Sequence, residues 1–194
     1  MLHSSIQQKY YDPKFDSMAV TVLPGDFYVS KDPQEMLVTI LGSCVAACIR
    51  DKKLGLGGMN HFLLPTPGTN VQTESGRYGS FAMEELINAL LKMGSKKENF
   101  EAKVFGGASV IQSSIQIGQN NCNFVREYLQ KERIPVVSED LGGERPRRIH
   151  FWPSTGRVAR HLLQNAETRL ILMQESAYQK KLSERPKGNG VELF

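Results

Sequence analysis

Residues 37–65 read LVTILGSCVAACIRDKKLGLGGMNHFLLP, and the fold turns on how this stretch is divided. Two short apolar runs, Met36 to Leu41 and Val45 to Ile49, are rich in β-branched side chains and bounded by Gly, Ser, Asp or Lys. They are too short for helices and have the composition of strands. Gly55 to Gly58 punctuates the chain, and a third apolar run, Met59 to Leu64, ends where Pro65 and Pro67 remove backbone donors. The stretch therefore predicts three strands joined by turns, with His61 within or beside the last.

Upstream, residues 1–22 show no sustained period of 2 or 3.6 and are expected as an irregular extension, followed by a short strand over Phe27 to Val29. Downstream, apolar residues at Phe81, Met83, Leu86, Ile87, Leu90 and Leu91 predict a helix over Ser80 to Met93, ended by Gly94. Lys103 to Phe105 reads as a strand running into Gly106-Gly107. Asn120 to Lys131 reads as a second amphipathic helix with Phe124, Val125, Tyr128 and Leu129 inward. Ile134 to Val137 and Arg148 to Trp152 read as strands separated by the Leu141-Gly142-Gly143 turn, and Arg157 to Leu163 as another. Residues 164–182 have helical character, and 183–194, with Pro186, Gly188 and Gly190, are not expected to be ordered. The organisation expected is an extension over 1–22, one domain over 23–163, and a tail over 164–194 lying outside the core.

The 194 residues are 40% hydrophobic and include nine Phe, six Tyr and one Trp, which suffices for one buried core. A net charge of +4 and a pI near 9.0 are mild, with the basic residues scattered. Arg145, Arg147 and Arg148 around Pro146 are expected to solvate a turn, so nucleic-acid binding is not expected. Three cysteines make an odd count without a paired framework, which points to reduced thiols and a cytoplasmic setting. No basic segment leads into an apolar one at the start, and no run reaches the roughly 18 apolar residues of a membrane span. Membrane insertion is not expected.

Chemistry concentrates in Gly42-Ser43-Cys44 and Asn60-His61-Phe62. A glycine ahead of a cysteine allows a sharp turn and close approach of a substrate carbonyl, so this arrangement predicts an exposed sulfur. An imidazole that takes the thiol proton completes the minimum for acyl transfer. Spacing leaves His61, His150 and His161 all eligible as that base, and a free cysteine is also a common small core residue. Cys48 and Cys122 read as packing residues. No CxxC pair or HxxxH motif supports zinc, and no metal is expected. Phe105-Gly106-Gly107-Ala108 lacks the Lys-Ser/Thr ending of a phosphate loop, so no nucleotide cofactor is expected.

The run from Leu37 to Pro65 resembles the signature of the CheD family of chemoreceptor glutamine deamidases. The resemblance continues through Arg77-Tyr78-Gly79, Ala82-Met83-Glu84, Lys103 to Ala108, Phe124-Val125, Ile134 to Val137 and Asp140 to Gly143, reaching Gly156-Arg157. It covers the chain from near Leu23 to near Leu163. It implies an α/β fold of the α+β kind: a β-sandwich-like core flanked by helices, similar to the catalytic domain of the cytotoxic necrotizing factor toxins. It also implies a catalytic set in which Cys44 is the nucleophile, His61 the base and Thr39 the residue that orients the imidazole. The activity implied is hydrolysis of glutamine side chains to glutamate on methyl-accepting chemoreceptors, with a CheC-type phosphatase as a further partner. The rival readings are a CheD-like module that binds receptors or the phosphatase without turnover, and a cysteine protease.

Overall fold

Along the strand after Cys44, Val45, Ala47 and Ile49 enter one apolar cluster while Cys44, Ala46 and Cys48 enter another. That period-2 alternation, with both faces buried, marks a central strand between two packed layers. The computed structural model describes residues 8–64, 72–110, 115–164, 173, 175–180 and 182. In chain order the elements are β1 (Lys9–Asp12), β2 (Ser17–Thr21), β3 (Phe27–Ser30), β4 (Glu35–Leu41), β5 (Val45–Asp51), β6 (Leu56–Asn60), α1 (Gln72–Lys92), β7 (Phe100–Gly106), α2 (Ile115–Lys131), β8 (Val136–Leu141), β9 (Arg147–Trp152) and β10 (Arg157–Leu162).

The strands form two five-stranded sheets, ordered β1-β2-β4-β9-β10 and β3-β6-β5-β7-β8. Both are mixed: β2–β4 and β7–β8 are parallel, the other pairs antiparallel. Val20, Leu37, Leu41, Ile149 and Phe151 of the first sheet meet Ala46, Cys48, Met59 and Phe105 of the second in one buried cluster, so the sheets pack face to face. Helices α1 and α2 cover the other face of the second sheet. Met83, Leu86, Ile87, Leu90, Val125 and Leu129 pack there on Val45, Ala47, Ile49 and Val104. Each fully buried side chain of this size contributes about 1.5–3 kcal/mol through apolar area removed from water. This is the sandwich with flanking helices expected from the sequence. Among the described residues no helix is long and apolar enough to cross a membrane.

Several expectations need correction. Lys9–Asp12 and Ser17–Thr21, expected as irregular, are strands, and Ala19 and Val20 are fully buried. Both runs, KYYD and SMAVT, are too short to show a sustained period, and β2 is carried by backbone pairing to β4. The third strand of the opening stretch lies earlier than its apolar run: Gly57 and Gly58 belong to β6, opposite Arg50 and Ile49, whereas Phe62 makes only an isolated bridge to Val45. Helices α1 and α2 begin before the apolar periodicity does, and β8 is displaced to Val136–Leu141. Phe81 and Leu91 face outward rather than into the core. Pro65, Pro67 and 183–194 lie outside the described residues.

Candidate active site

Cys44 ends the turn between β4 and β5 and stands at the seam of the two sheets. Val45 exchanges both backbone hydrogen bonds with Phe62, at 3.0 and 2.9 Å. The same register sets Ala46 opposite His61 and Cys44 opposite Leu63, so Cys44 and His61 are diagonal neighbours on the sandwich-interior face. His61 is pinned on its other side: its N–H donates to the Asp26 carbonyl (3.0 Å) and its carbonyl accepts from Gly25 N–H (2.7 Å).

Thr39 reaches this point from β4 of the opposite sheet and is 2% exposed. Its hydroxyl has one proton, which it donates to the Val22 carbonyl at 2.7 Å. In its 2.8 Å contact with His61 Nδ1 the oxygen must therefore accept, so Nδ1 carries the imidazole proton. Nε2 is left as the basic nitrogen, buried and without a hydrogen-bond partner among the described residues. Burial pushes the His61 pKa down to about 4, with the Glu175 carboxylate opposing that shift, so the ring is neutral near pH 7.

Three consecutive backbone N–H groups, from Gly42, Ser43 and Cys44, converge at the turn. Their own carbonyls are turned away and tied down: Gly42 O accepts from Ala108 N–H (2.7 Å), Ser43 O from Asn121 Nδ2 (2.8 Å) and Cys44 O from Gly107 N–H (2.7 Å). The Gly42 and Ser43 carbonyls share their peptide planes with the Ser43 and Cys44 N–H groups, so these two donors are held facing inward. Such a nest of backbone donors binds negative charge and needs no rearrangement when charge develops. Gly106, at φ +115°, is required here, because a Cβ would overlap the Cys44 carbonyl oxygen. Gly106 thus lets the Phe105 to Ala108 segment lie close against the Cys44 turn.

Inside the cradle lies the carboxylate of Glu175. It accepts from Gly42 N–H (3.0 Å), Ser43 N–H (3.1 Å), Cys44 N–H (3.1 Å) and Ser43 Oγ (2.7 Å). A Cβ on Gly42 would stand 2.9 Å from this carboxylate, so the glycine does permit close approach of a carboxyl group. Two expectations are corrected by this contact. The sulfur is not exposed, since Cys44 is fully buried, and the tail after residue 163 is not all outside the core, since Glu175 is 6% exposed. Burial, then the Glu175 charge and its hydrogen bond to the thiol, push the Cys44 pKa well up. The resting pair is therefore neutral thiol and neutral imidazole.

The structure brings Thr39, Cys44 and His61 together and leaves the competing histidines elsewhere. His150 stacks on Phe15 at 4.6 Å on the outer side of the first sheet, and His161 is exposed on β10. Cys48 and Cys122 are buried packing residues. Arg147, expected to solvate a turn, is instead 2% exposed, with its guanidinium on the carbonyls of Asp140 (2.5 Å) and Gly142. Asn121 and Glu175 were not anticipated: each reaches the Cys44 turn from far along the chain, with no local sequence signal. Among the described residues no three His, Cys, Asp or Glu side chains are grouped so as to hold a metal.

A thiol, an oriented basic imidazole and an anion cradle on one seam are the parts of a thiol-dependent acyl-transfer site. The family model and the curated relatives agree in family. The family model described as CheD chemotactic sensory transduction matches residues 63–161, beginning two residues after His61. A protein of Rhodopseudomonas palustris (strain BisA53) named "Probable chemoreceptor glutamine deamidase CheD" is 47% identical over 190 residues, covering 96% of this chain and 89% of its own. One with the same name from Methylobacillus flagellatus is 46% identical, covering 95% and 94%, and another from Thiobacillus denitrificans is 43% identical over the whole of both chains. Among solved structures, Bacillus licheniformis hypothetical protein YfiH has a TM-score of 0.40 at 14% identity, covering 61% of this chain and 50% of its own. The chain belongs to the CheD family.

Proposed function

We propose that this protein is a chemoreceptor glutamine deamidase acting through a Cys44 thioester. The observation that carries the reading is the Val22–Thr39–His61 hydrogen-bond chain, which leaves a basic Nε2 on the face shared with Cys44, beside three inward N–H donors. His61 Nε2 takes the thiol proton, sulfur attacks the glutamine Cδ, and the developing oxyanion lies in the Gly42–Cys44 cradle. Protonated His61 gives its proton to the departing ammonia. Water, deprotonated by the same nitrogen, then hydrolyses the thioester to glutamate. Thr39 holds the ring in the tautomer this sequence needs and touches no reacting atom, so it is a positioning residue.

The substrates are chemoreceptors, as the names of the relatives state for those proteins, and we take them to be of the methyl-accepting kind. Conversion of glutamine to glutamate adds a negative charge to a receptor helix and so biases its signalling equilibrium. The proposal places the enzyme in the cytoplasm, with a CheC-type phosphatase as a second protein partner and no nucleic-acid partner. The catalytic unit is the 23–163 domain, built together with β1 and β2.

Incubation of the full chain with receptor, followed by peptide mapping, tests the reaction. Specific glutamine peptides should gain the mass of an amide-to-acid exchange, and the Cys44→Ala chain should produce none. Chain cleavage would point to a protease, and an unmodified but co-purifying receptor to a binding module.

A further inference from the structure

The cradle that stabilises an oxyanion is already filled by a carboxylate of the same chain. Residues 175–180 are helical, with Glu175 on the three N–H groups and Ser43 Oγ. One turn along, Tyr178 packs over Gly25, whose N–H holds the His61 carbonyl, and its hydroxyl meets that of Tyr78 on α1. The segment is thus seated at two points, one on the nucleophile turn and one against the histidine's support. Cys44 is 0% exposed, and Ser43 and His61 are each 3% exposed. A substrate carbonyl has no route to the sulfur while this arrangement holds.

The chemical identity of the occupant matters. Deamidation ends with a γ-carboxylate on a glutamate, and Glu175 presents that group from a helix. We infer that the C-terminal helix is an intrasteric occupant of the acyl site, a built-in product analogue that a receptor glutamine must displace before it can react. The inference rests on the deamidase reading for the identity of the displacing group. The coverage of Cys44 stands on the contacts alone. Glu175 accepts from all three cradle donors, leaving none for a substrate oxygen, so it competes with catalysis rather than taking part in it.

The test compares full-length wild type with Glu175→Ala and Tyr178→Ala. Iodoacetamide labelling of Cys44, read by peptide mass spectrometry with Cys48 and Cys122 as internal references, should be about tenfold faster or more in Glu175→Ala if the open form is a minor one. It should also rise, by less, in Tyr178→Ala, which keeps the carboxylate and loses its second anchor. Receptor deamidation should rise with labelling, through a lower KM for receptor.

Glu175→Gln supplies a third readout, because it places a substrate amide where the carboxylate lies. Cys44 attacks the Cδ of the introduced side chain, the C–N bond breaks, ammonia leaves with the His61 proton, and water releases glutamate. The tail peptide should then revert to the wild-type mass in the Cys44 chain and keep its amide when Glu175→Gln is combined with Cys44→Ala. Equal or slower labelling in both alanine variants, a fall in deamidation on loss of Glu175, or an amide retained at position 175 in a chain that deamidates receptor would each overturn the inference. Faster labelling with no receptor glutamine converted would keep the occupant and sink the deamidase reading. Equal labelling with normal deamidation would do the reverse.

Discussion

Val22 O, Thr39 Oγ1 and His61 Nδ1 form a chain in which each proton has one place to go, and this fixes where the base is. His61→Asn should lower deamidation by about 10²- to 10⁴-fold, the usual worth of general acid–base assistance. The residual rate should rise with pH as hydroxide replaces the lost base. His150→Asn and His161→Asn should leave the rate unchanged, because one packs on Phe15 and the other faces solvent. Thr39→Val keeps the shape and removes the hydroxyl. It should lower kcat with KM for receptor held, and Thr39→Ser should restore much of the loss, which a purely packing threonine would not do. Cys44 and His61 stood out in the sequence on two short neighbouring segments, but the preference for His61 over His150 and His161, and the choice of Thr39, came from the family resemblance alone. Glu175 was not legible, since it reaches the cradle across 131 to 133 residues and belongs to a stretch whose composition reads as a tail.

The turn from β4 into β5 works only because other elements hold its carbonyls. Asn121, fully buried on α2, accepts from Leu64 N–H (2.8 Å) and donates to Ser43 O, linking the helix to both segments of the site. Asn121→Ala should cost about 1–3 kcal/mol in denaturant unfolding by leaving buried groups unpaired. It should also lower kcat by more than the lost folded fraction accounts for, because the Ser43 peptide is freed. Gly106→Ala should be worse on both measures, as a methyl group there meets the Cys44 carbonyl. The strands and helices themselves were mostly readable from period and punctuation. The errors fell where tertiary pairing decides what local pattern cannot: β2, too short to show a period but paired to β4, and β6, which takes in two glycines.

Across the whole molecule, Thr39, Cys44 and His61 lie between two sheets rather than on an open rim, and this shows in the pH dependence of stability. His61 has its folded pKa lowered from the ordinary 6.5 to about 4. Between those values the unfolded chain binds more protons than the folded one, so stability present at pH 7 is lost as pH falls through that window. Urea unfolding of wild type should show this loss between pH 6.5 and 4, and His61→Asn should flatten it while leaving the smaller contribution of His150, which burial also lowers. An unaltered slope in the variant would mean that His61 is not held neutral. The sandwich was legible as an architecture. That its interior seam gathers Thr39, Cys44 and His61 was not, because faces of different sheets are brought together only by packing.

The covered thiol has a further consequence, for oxidative damage. Peroxide attacks a thiolate that it can reach, and Cys44 in the occupied state is neither ionised nor accessible. The resting protein should therefore pass through peroxide exposure with its sulfur reduced. Sulfenic acid should accumulate only during the intervals in which the C-terminal helix has let go, so that receptor engagement sets the rate of the enzyme's own inactivation.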